Sequence, residues 1–455
     1  MSSKQEYDAI IVGAGPAGLF AALELTGGKH NIRVLLIEKG RDLPDRTHND
    51  PASLLCGWGG AGAYSDGKLN LSCDVGGQLL NYVPEPRLRD LISRVDETYV
   101  RYGASNNIYG GESEAVGALR KKASLANLKL IVSRIRHIGT EICIDVLGNI
   151  RSHLMERIDF MPETMVRKII VENGTAAGVE TDGGSEIRAK YVILAPGREG
   201  AEWLVGEAAR LGLPKKHNPV DIGVRVEVPS VVMEPLTDIL YESKFLYNTK
   251  KFDDLIRTFC MCPHGEVVIE LNNGVTTVNG HSYSGRKTDN TNFALLVSNN
   301  FTKPFNDPIA YGKYIASLAN LLGDGVIVQR LGDLKMGRRS TNGRIDKSAM
   351  EPTLKNATPG DLSFVLPYRH LSGIIEMLEA MNNVAPGINE KSTLLYGVEV
   401  KFYSSRIELD ETLETTVENL YAIGDGAGIT RGLVQASASG MIAAQAIIEK
   451  AKDNT

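Results

Sequence analysis

Between Tyr7 and Glu38 the sequence runs strand, glycine turn, helix, strand, and few folds accept that order at that spacing. Ala9–Val12 is an apolar run with the length and residue types of a buried parallel strand. Gly13, Gly15 and Gly18 form G-x-G-x-x-G around Pro16 and Ala17, and Leu19–Leu25 continues as an Ala/Leu-rich helix. A second strand, Arg33–Ile37, delivers Glu38 and Lys39, with the acid about twenty residues past the last glycine. Each glycine has its own reason. Gly13 makes the tight turn, Gly15 lets backbone approach a pyrophosphate, and Gly18 lets helix and strand pack closely. The pyrophosphate would face the unpaired N–H groups and positive dipole end of the helix. The motif alone is weak evidence, and a ligand-free glycine turn is the alternative. With both strands, the helix and the acid in place, the stretch predicts an adenine-dinucleotide site. An acid at Glu38 favours an unphosphorylated ribose, hence NAD or FAD over NADP.

The totals bound the rest. A chain of 455 residues exceeds one compact core, so two or three domains are expected. Hydrophobic and charged contents of 43% and 23% are those of a soluble globular protein. A formal net charge of −5 gives no general attraction to nucleic acid or anionic membranes. No run of about eighteen apolar residues suggests a membrane helix. The first residues, MSSKQEYDAI, have no secretory pattern. Five cysteines, few and odd in number, suit a reducing compartment, so a cytoplasmic location is expected.

Along the chain, Cys56–Lys68 holds five glycines, which implies backbone that approaches something closely. The alternative is a flexible surface loop, and Trp58 argues against it, since an indole there would be wasted apolar area. Trp58, Gly59, Gly60 and Gly62 are therefore expected at the cofactor. An amphipathic helix is expected over Pro86–Tyr102 and another over Glu141–Arg157. Turn signals at Glu172–Gly174 and Thr181–Gly184 divide Ile158–Leu194 into a three-stranded meander, whose last strand is expected to rejoin the first sheet. The middle, from about Gly212 to Ser392, reads as less regular, with strands at Asp221–Val228, Thr258–Met261 and Glu266–Leu271. Helices are expected near Tyr311–Leu322 and His370–Asn382. Asn419–Ile423 reads as a buried strand ending in Gly424-Asp425, followed by a helix, Leu433–Ala451, rich enough in Ala, Ser and Gly to pack very closely.

The two ends together identify the cofactor. With its first motif, its meander ending in Ala195-x-Gly197 and its terminal Gly424-Asp425, the chain resembles the FAD-dependent oxidoreductases of the glutathione-reductase type. The resemblance implies that Asp425 accepts hydrogen bonds from ribityl hydroxyls. It also implies that the last helix aims its N-terminus, through Gly432, Leu433 and Val434, at the flavin. Val166, Ala195 and Gly197 join that expected site. No second strand–GxGxxG–helix occurs, so a separate nicotinamide domain is not expected, although NAD(P)H remains admissible as an external donor. More narrowly, Cys56–Leu69, His137–Thr140, Arg257–Val267, Gly337–Thr341 and Pro359–Leu362 are similar to a large bacterial and archaeal family of FAD-dependent dehydrogenases without an agreed reaction. Two departures stand out: Thr430–Gln435 replaces a second glycine-rich turn, and the segment from about Tyr102 to Ser133 is abbreviated.

The expected architecture is α/β: a Rossmann-like FAD-binding domain, parallel sheet plus β-meander, from residues 1–211 and 396–455, with an α+β substrate domain inserted at 212–395. Candidate catalytic residues are Cys56, in the glycine loop, and Cys260, Cys262 and His264. On a strand the last two cysteines would share a face, and the bland alternative is small buried packing. Zinc would need more ligands than His264 supplies, so no metal is expected. Arg338, Arg339 and Ser340 suit a substrate carboxylate or phosphate, with salt bridges to Asp333 and Asp346 as the alternative. The resulting expectation is hydride transfer between flavin N5 and a small organic substrate, an anionic one among the options, with no membrane or nucleic-acid partner. Two rivals stand beside it: an FAD-dependent RNA-modifying enzyme, and a flavin-binding redox sensor without turnover.

Overall fold

Strand Glu6–Val12 is buried along nearly its whole length because its residues are apolar on both faces, as a central parallel strand requires. In the computed structural model it pairs in parallel with Val34–Ile37 on one side and Glu186–Leu194 on the other, with Ile11 opposite both Leu36 and Ile193. The structure describes residues 6–453 except 29–30, 48–54, 66, 217, 273, 283–285, 300, 302–303, 306, 349 and 403–405. Asp66, within the expected glycine loop, lies outside the described residues.

The chain divides into two compact units. The first comprises Met1–Tyr109, Ser133–Asn218 and Ser404–Thr455. Among its described residues is a seven-stranded sheet in the order Asp159–Met161, Val34–Ile37, Glu6–Val12, Glu186–Leu194, Thr175–Thr181, Val166–Glu172, with Leu420–Ala422 also on Glu186–Leu194. The last three strands in that order form the antiparallel meander, and Glu186–Leu194 does rejoin the parallel sheet. Helices Pro16–Thr26 and Leu433–Asp453 cross in contact. A Cβ at Gly440 would fall inside 3.0 Å of Ala17 O and Ala21 N, so only glycine permits the approach.

The second unit comprises Gly110–Val132 and Pro219–Tyr403. The expectation of a less regular middle is corrected here. Its described residues include an eight-stranded sheet in the order Thr358–Pro359, Ile327–Arg330, Leu394–Lys401, Val220–Pro229, Asn290–Asn299, Leu255–Cys262, Lys244–Asn248, Lys129–Ile131. Phe245, Ile256, Phe293, Leu295 and Val398 lie in its core, beside helix Tyr368–Met381. Val220–Pro229, expected as Asp221–Val228, carries Asp221, Arg225 and Glu227, all buried, while its neighbours Asn290–Asn299 and Leu394–Lys401 were not expected. Gly110–Val132 belongs to this unit because Lys129–Ile131 pairs with Lys244–Leu246. It also holds a helix, Glu114–Leu125, capped by the Ser113 hydroxyl accepting from the Val116 N–H at 3.2 Å. Among the described residues no helix is long and apolar enough to cross a membrane.

Glycine in these helices acts in opposite directions by position. Replacing a helical glycine by alanine gains about 0.5–1 kcal/mol from backbone entropy. Nothing lies within 4 Å of a Cβ at Gly206, so Gly206→Ala should raise the melting temperature. At Gly440 the same change drives a methyl into the Ala17 carbonyl, and an overpacking cost of about 1–3 kcal/mol outweighs the gain. Gly440→Ala should therefore melt lower than the parent, and thermal denaturation of both variants checks the opposition of sign.

Candidate functional site

The first unit contains a cavity of about 360 Å³ where the sequence's remote glycine motifs converge. Gly13 sits at φ 108°, and a Cβ there would collide with Ala195 O, so the turn and the meander's last strand touch backbone to backbone. Gly18 is spent on the same packing, its Cβ position lying against Gly13 O rather than on the cavity. Gly15 is different. It has an ordinary φ of −75°, and no atom lies within 4 Å of where its Cβ would stand. It lines the cavity with Gly13, Pro16 and Ala17 at the start of helix Pro16–Thr26.

Glu38 also lines the cavity, yet its carboxylate is only 5% exposed and already organises three turns. Oε2 accepts the Ala14 N–H at 2.8 Å, and Oε1 accepts those of Gly40 at 2.8 Å and Gly57 at 2.9 Å. A carboxylate offers about four acceptor positions, so room for one further donor remains. The acid expected to meet a ribose is thus first a staple between the nucleotide turn and the second glycine loop.

That loop is held from beneath. Arg46, buried, donates to Trp58 O and, at 3.0 Å, to Gly60 O, and its guanidinium lies 4.9 Å from the Tyr64 ring centre. The Gly59 N–H donates to Ala14 O at 2.8 Å. Gly60 and Gly62 reach the cavity; a Cβ at Gly60 would stand 3.1 Å from Gly15 Cα, and one at Gly62 would stand 3.0 Å from Leu433. Trp58 is a correction. It is fully buried, donates its indole N–H to Leu147 O at 3.2 Å and meets Phe160 edge-on, so it supports the loop from the core and does not line the cavity. Gly59 likewise lies behind the lining.

From the other end of the chain come Gly424, at φ 72°, whose N–H donates to Ser439 Oγ at 3.0 Å, and Asp425, whose Oδ1 accepts from Thr430 Oγ1 at 2.7 Å. Both line the cavity with Gly432 and Leu433, while Val434 is buried behind them. Val166, Ala195, Gly197 and Lys39 complete the expected lining, Lys39 paired with Glu199 at 3.0 Å. Sequence reasoning missed Lys68 and Arg431, two cations on the same cavity. Both lie in stretches singled out for other reasons, Cys56–Leu69 and Thr430–Gln435, and only the fold brings the two side chains to one cavity.

The chemical candidates separate. Cys56 lines the cavity, but burial first, with Glu38 and Glu199 adding, pushes its thiol above the ordinary value despite Lys39. Such a thiol stays protonated at neutral pH, the reverse of an activated nucleophile. Cys260, Cys262 and His264 lie together in the second unit at the end of strand Leu255–Cys262, and the His264 ring Nδ1 is 3.0 Å from Thr288 O. Their sulfurs are 4.0 Å apart, two thiols rather than a disulfide. The anion-binding expectation for the Arg338 loop is corrected. Ser340 is buried and donates to Asp333 Oδ2 at 2.8 Å, and Arg338 Nε is 2.9 Å from Asp333 Oδ1. Arg339 is exposed beside them. The loop's polarity is spent largely on its own aspartate. Among the described residues no group of three or more His, Cys, Asp or Glu is arranged to hold a metal ion.

Residues 219–402 match the family described as FAD-dependent protein, C-terminal domain-like. Residues 11–95 match the NAD(P)-binding Rossmann-like domain, and 353–455 match glucose inhibited division protein A. An uncharacterised protein of Clostridium beijerinckii is 27% identical, over 97% of this chain and 80% of its own. Among solved structures, a variant of quinol fumarate reductase FrdA from E. coli is similar at TM-score 0.43 and 16% identity, covering 99% of this chain and 71% of that one. Glycine oxidase from Geobacillus kaustophilus is similar at TM-score 0.40 and 14% identity, covering 98% and 95%.

The double burden on Glu38 can be measured. Glu38→Gln turns an NH2 group toward buried N–H donors, and each donor left unpaired costs about 1–3 kcal/mol. The apoprotein should melt lower than the parent, with first proteolytic cuts in Gly57–Ser65. An apoprotein that melts and is cut like the parent would show the carboxylate to be idle until ligand arrives.

Proposed function

We propose that this protein, an FAD-dependent oxidoreductase, holds its FAD in the cavity of the first unit and moves a hydride between flavin N5 and a small organic substrate bearing an anionic group. The observation that carries the reading is the meeting of Gly13–Ala17, Gly60–Gly62 and Gly424–Leu433 around one cavity. Those are the parts a two-ended FAD site needs. Bound there, FAD supplies a two-electron acceptor that the chain's own side chains do not provide.

The residues fit the group on three counts. Gly15 leaves open space at a helix start, where backbone N–H groups and the helix dipole favour a pyrophosphate. Glu38 has an acceptor position to spare for a ribose hydroxyl. Asp425, tied by Thr430, presents a fixed carboxylate to ribityl hydroxyls. Lys68 and Arg431 supply positive charge beside the start of helix Leu433–Asp453. Positive charge there favours anions, whether on a bound substrate or on electron-rich cofactor. The roles of these two cations replace those expected of Arg338, Arg339 and Ser340.

Retention of cofactor tests the reading. Gly15→Ala meets no atom within 4 Å, so it should fold and melt as apoprotein like the parent while binding FAD at least about tenfold more weakly, or about 1.4 kcal/mol. Asp425→Ala should lose FAD to a similar degree. Flavin absorbance after gel filtration, with titration of the apoproteins, reads both. Unchanged affinity in both variants would overturn the assignment of the cavity. The substrate half is read by anaerobic bleaching with a panel of small carboxylates. Lys68→Gln and Arg431→Gln should raise the concentration needed for half-maximal bleaching, and an unchanged value would remove the anionic group from the proposal.

A further inference from the structure

A pair of thiols in the second unit is built into charge that the flavin reading does not use. Strand Leu255–Cys262 runs antiparallel to Asn290–Asn299, with Phe259 opposite Ala294 and Cys262 opposite Asn292, so the register slips between them. Cys260 takes up the slip at φ 43°, a left-handed conformation uncommon for a side-chain-bearing residue. In a regular strand residues two apart rise about 6.6 Å. Here the two sulfurs stand 4.0 Å apart, with Cys262 buried and Cys260 partly exposed.

Arg225, wholly buried, faces them. Its Nη2 donates to Cys260 O at 2.7 Å and to Cys262 Sγ at 3.2 Å, its Nε donates to Asn292 Oδ1 at 2.8 Å, and its Nη1 is 3.3 Å from both Glu399 oxygens. Gly280 makes the room, because a Cβ there would fall inside 3.0 Å of both Arg225 Nη2 and Asn292 Oδ1. The guanidinium belongs to a wider cluster of charge. Arg225 and Lys401 surround one buried carboxylate, Glu399, with Lys401 Nζ 3.0 Å from it. Glu270, 3.8 Å from Lys401 and 38% exposed, is the second carboxylate of the cluster. The Cys262 sulfur also lies 3.6 Å from Cys260 O, and a guanidinium N–H pointed at that sulfur is the contact that would favour a thiolate there.

We propose that Cys260 and Cys262 are a reversible dithiol–disulfide couple, with Arg225 holding Cys262 as the thiolate and Cys260 meeting a low-molecular-weight disulfide. Cys260 passes its proton to Cys262 and attacks the incoming disulfide, forming a mixed disulfide and expelling one thiolate. Cys262 then releases that proton to a departing thiolate and attacks the Cys260 sulfur. The second half of the incoming disulfide leaves as the Cys260–Cys262 bond forms. Two electrons pass from the protein sulfurs to the incoming disulfide, and the proton count is unchanged. Closure over a single intervening residue is tight, which makes the bond easily reduced and suits a reversible couple rather than a structural one. Arg225 is a positioning residue in this scheme.

Trypsin releases Thr258–Arg286, a peptide with these two cysteines and no other, so the holoprotein can be assayed by mass after equilibration in glutathione buffers of graded ratio. The wild-type peptide should become lighter by two hydrogens, resist iodoacetamide and recover with dithiothreitol. Cys262→Ser should stop at a glutathione adduct on Cys260, and Cys260→Ser should give neither product. Arg225→Lys should slow ring closure about tenfold at neutral pH, with the gap closing at alkaline pH where the thiols ionise unaided. The couple is overturned if the wild-type peptide keeps two alkylatable thiols at every ratio or stops at the adduct. The role of Arg225 is overturned if Arg225→Lys leaves the pH profile in place. The wild-type measurement decides the couple even where a variant fails to fold, and none of these readouts depends on flavin.

Discussion

Backbone contacts that admit no side chain hold the first unit in its shape. Gly13 lies against Ala195, Gly18 against Gly13 and Gly440 against Ala17, each so closely that a Cβ would fall inside 3.0 Å of a carbonyl oxygen. Interiors are packed to the density of organic crystals, so such contacts leave the participating elements almost no freedom to slide. The last of them sets the C-terminal helix on the first helix. As a result Gly15 and Leu433, from opposite ends of the chain, line one cavity. The cavity is a consequence of close packing beside it, more than of any residue that borders it.

This explains which parts of the site were legible in the sequence. A glycine demanded by a turn or a close approach leaves a local trace, because spacing and flanking hydrophobicity report the strand and helix it joins. Gly13 and Gly15 were found that way, while Gly424 and Gly432 came with the resemblance. Trp58 shows the limit of the same reasoning. Its size correctly excluded a floppy loop, but size cannot tell which side of the loop the indole supports, and here it is the core side. Arg46, Lys68 and Arg431 were not expected at the site. Lys68 and Arg431 lie in stretches read for their glycines or turn, and each of the three acquires its neighbours only when strands and loops distant in the chain are assembled. Glu38 lines the cavity, while its three backbone donors became visible only with the fold.

The second unit was harder to read for an energetic reason. Leu394–Lys401, a central strand that was not expected, buries Glu399 and Lys401, and a pattern of apolar and polar positions treats charge as a sign of solvent. Glu227 is buried, accepting from Tyr396, Asn290 at 3.1 Å and Thr353, and burial raises its carboxyl above the ordinary value. Buried charge survives when its partners are complete, and these partners come from separate strands and loops. The Arg338 loop misled in the same way. Its cations and hydroxyl resembled an anion site until Asp333, itself buried, proved to be the anion.

Cys56 and Cys262 bring the two kinds of legibility into one comparison. By position in the sequence Cys56 is the better candidate for chemistry, since it borders the glycine loop and the cavity. Its surroundings reverse that ranking: burial and two nearby carboxylates keep the thiol protonated. Cys262 sits in a strand that reads as ordinary packing, yet a guanidinium with no exposure to water donates to its sulfur at 3.2 Å. A thiolate is stabilised by donors and opposite charge, not by proximity to a cofactor motif. Motif position located the cavity, because glycines and backbone make up much of its lining. Reactivity follows the local charge, and in this chain the two point to different units.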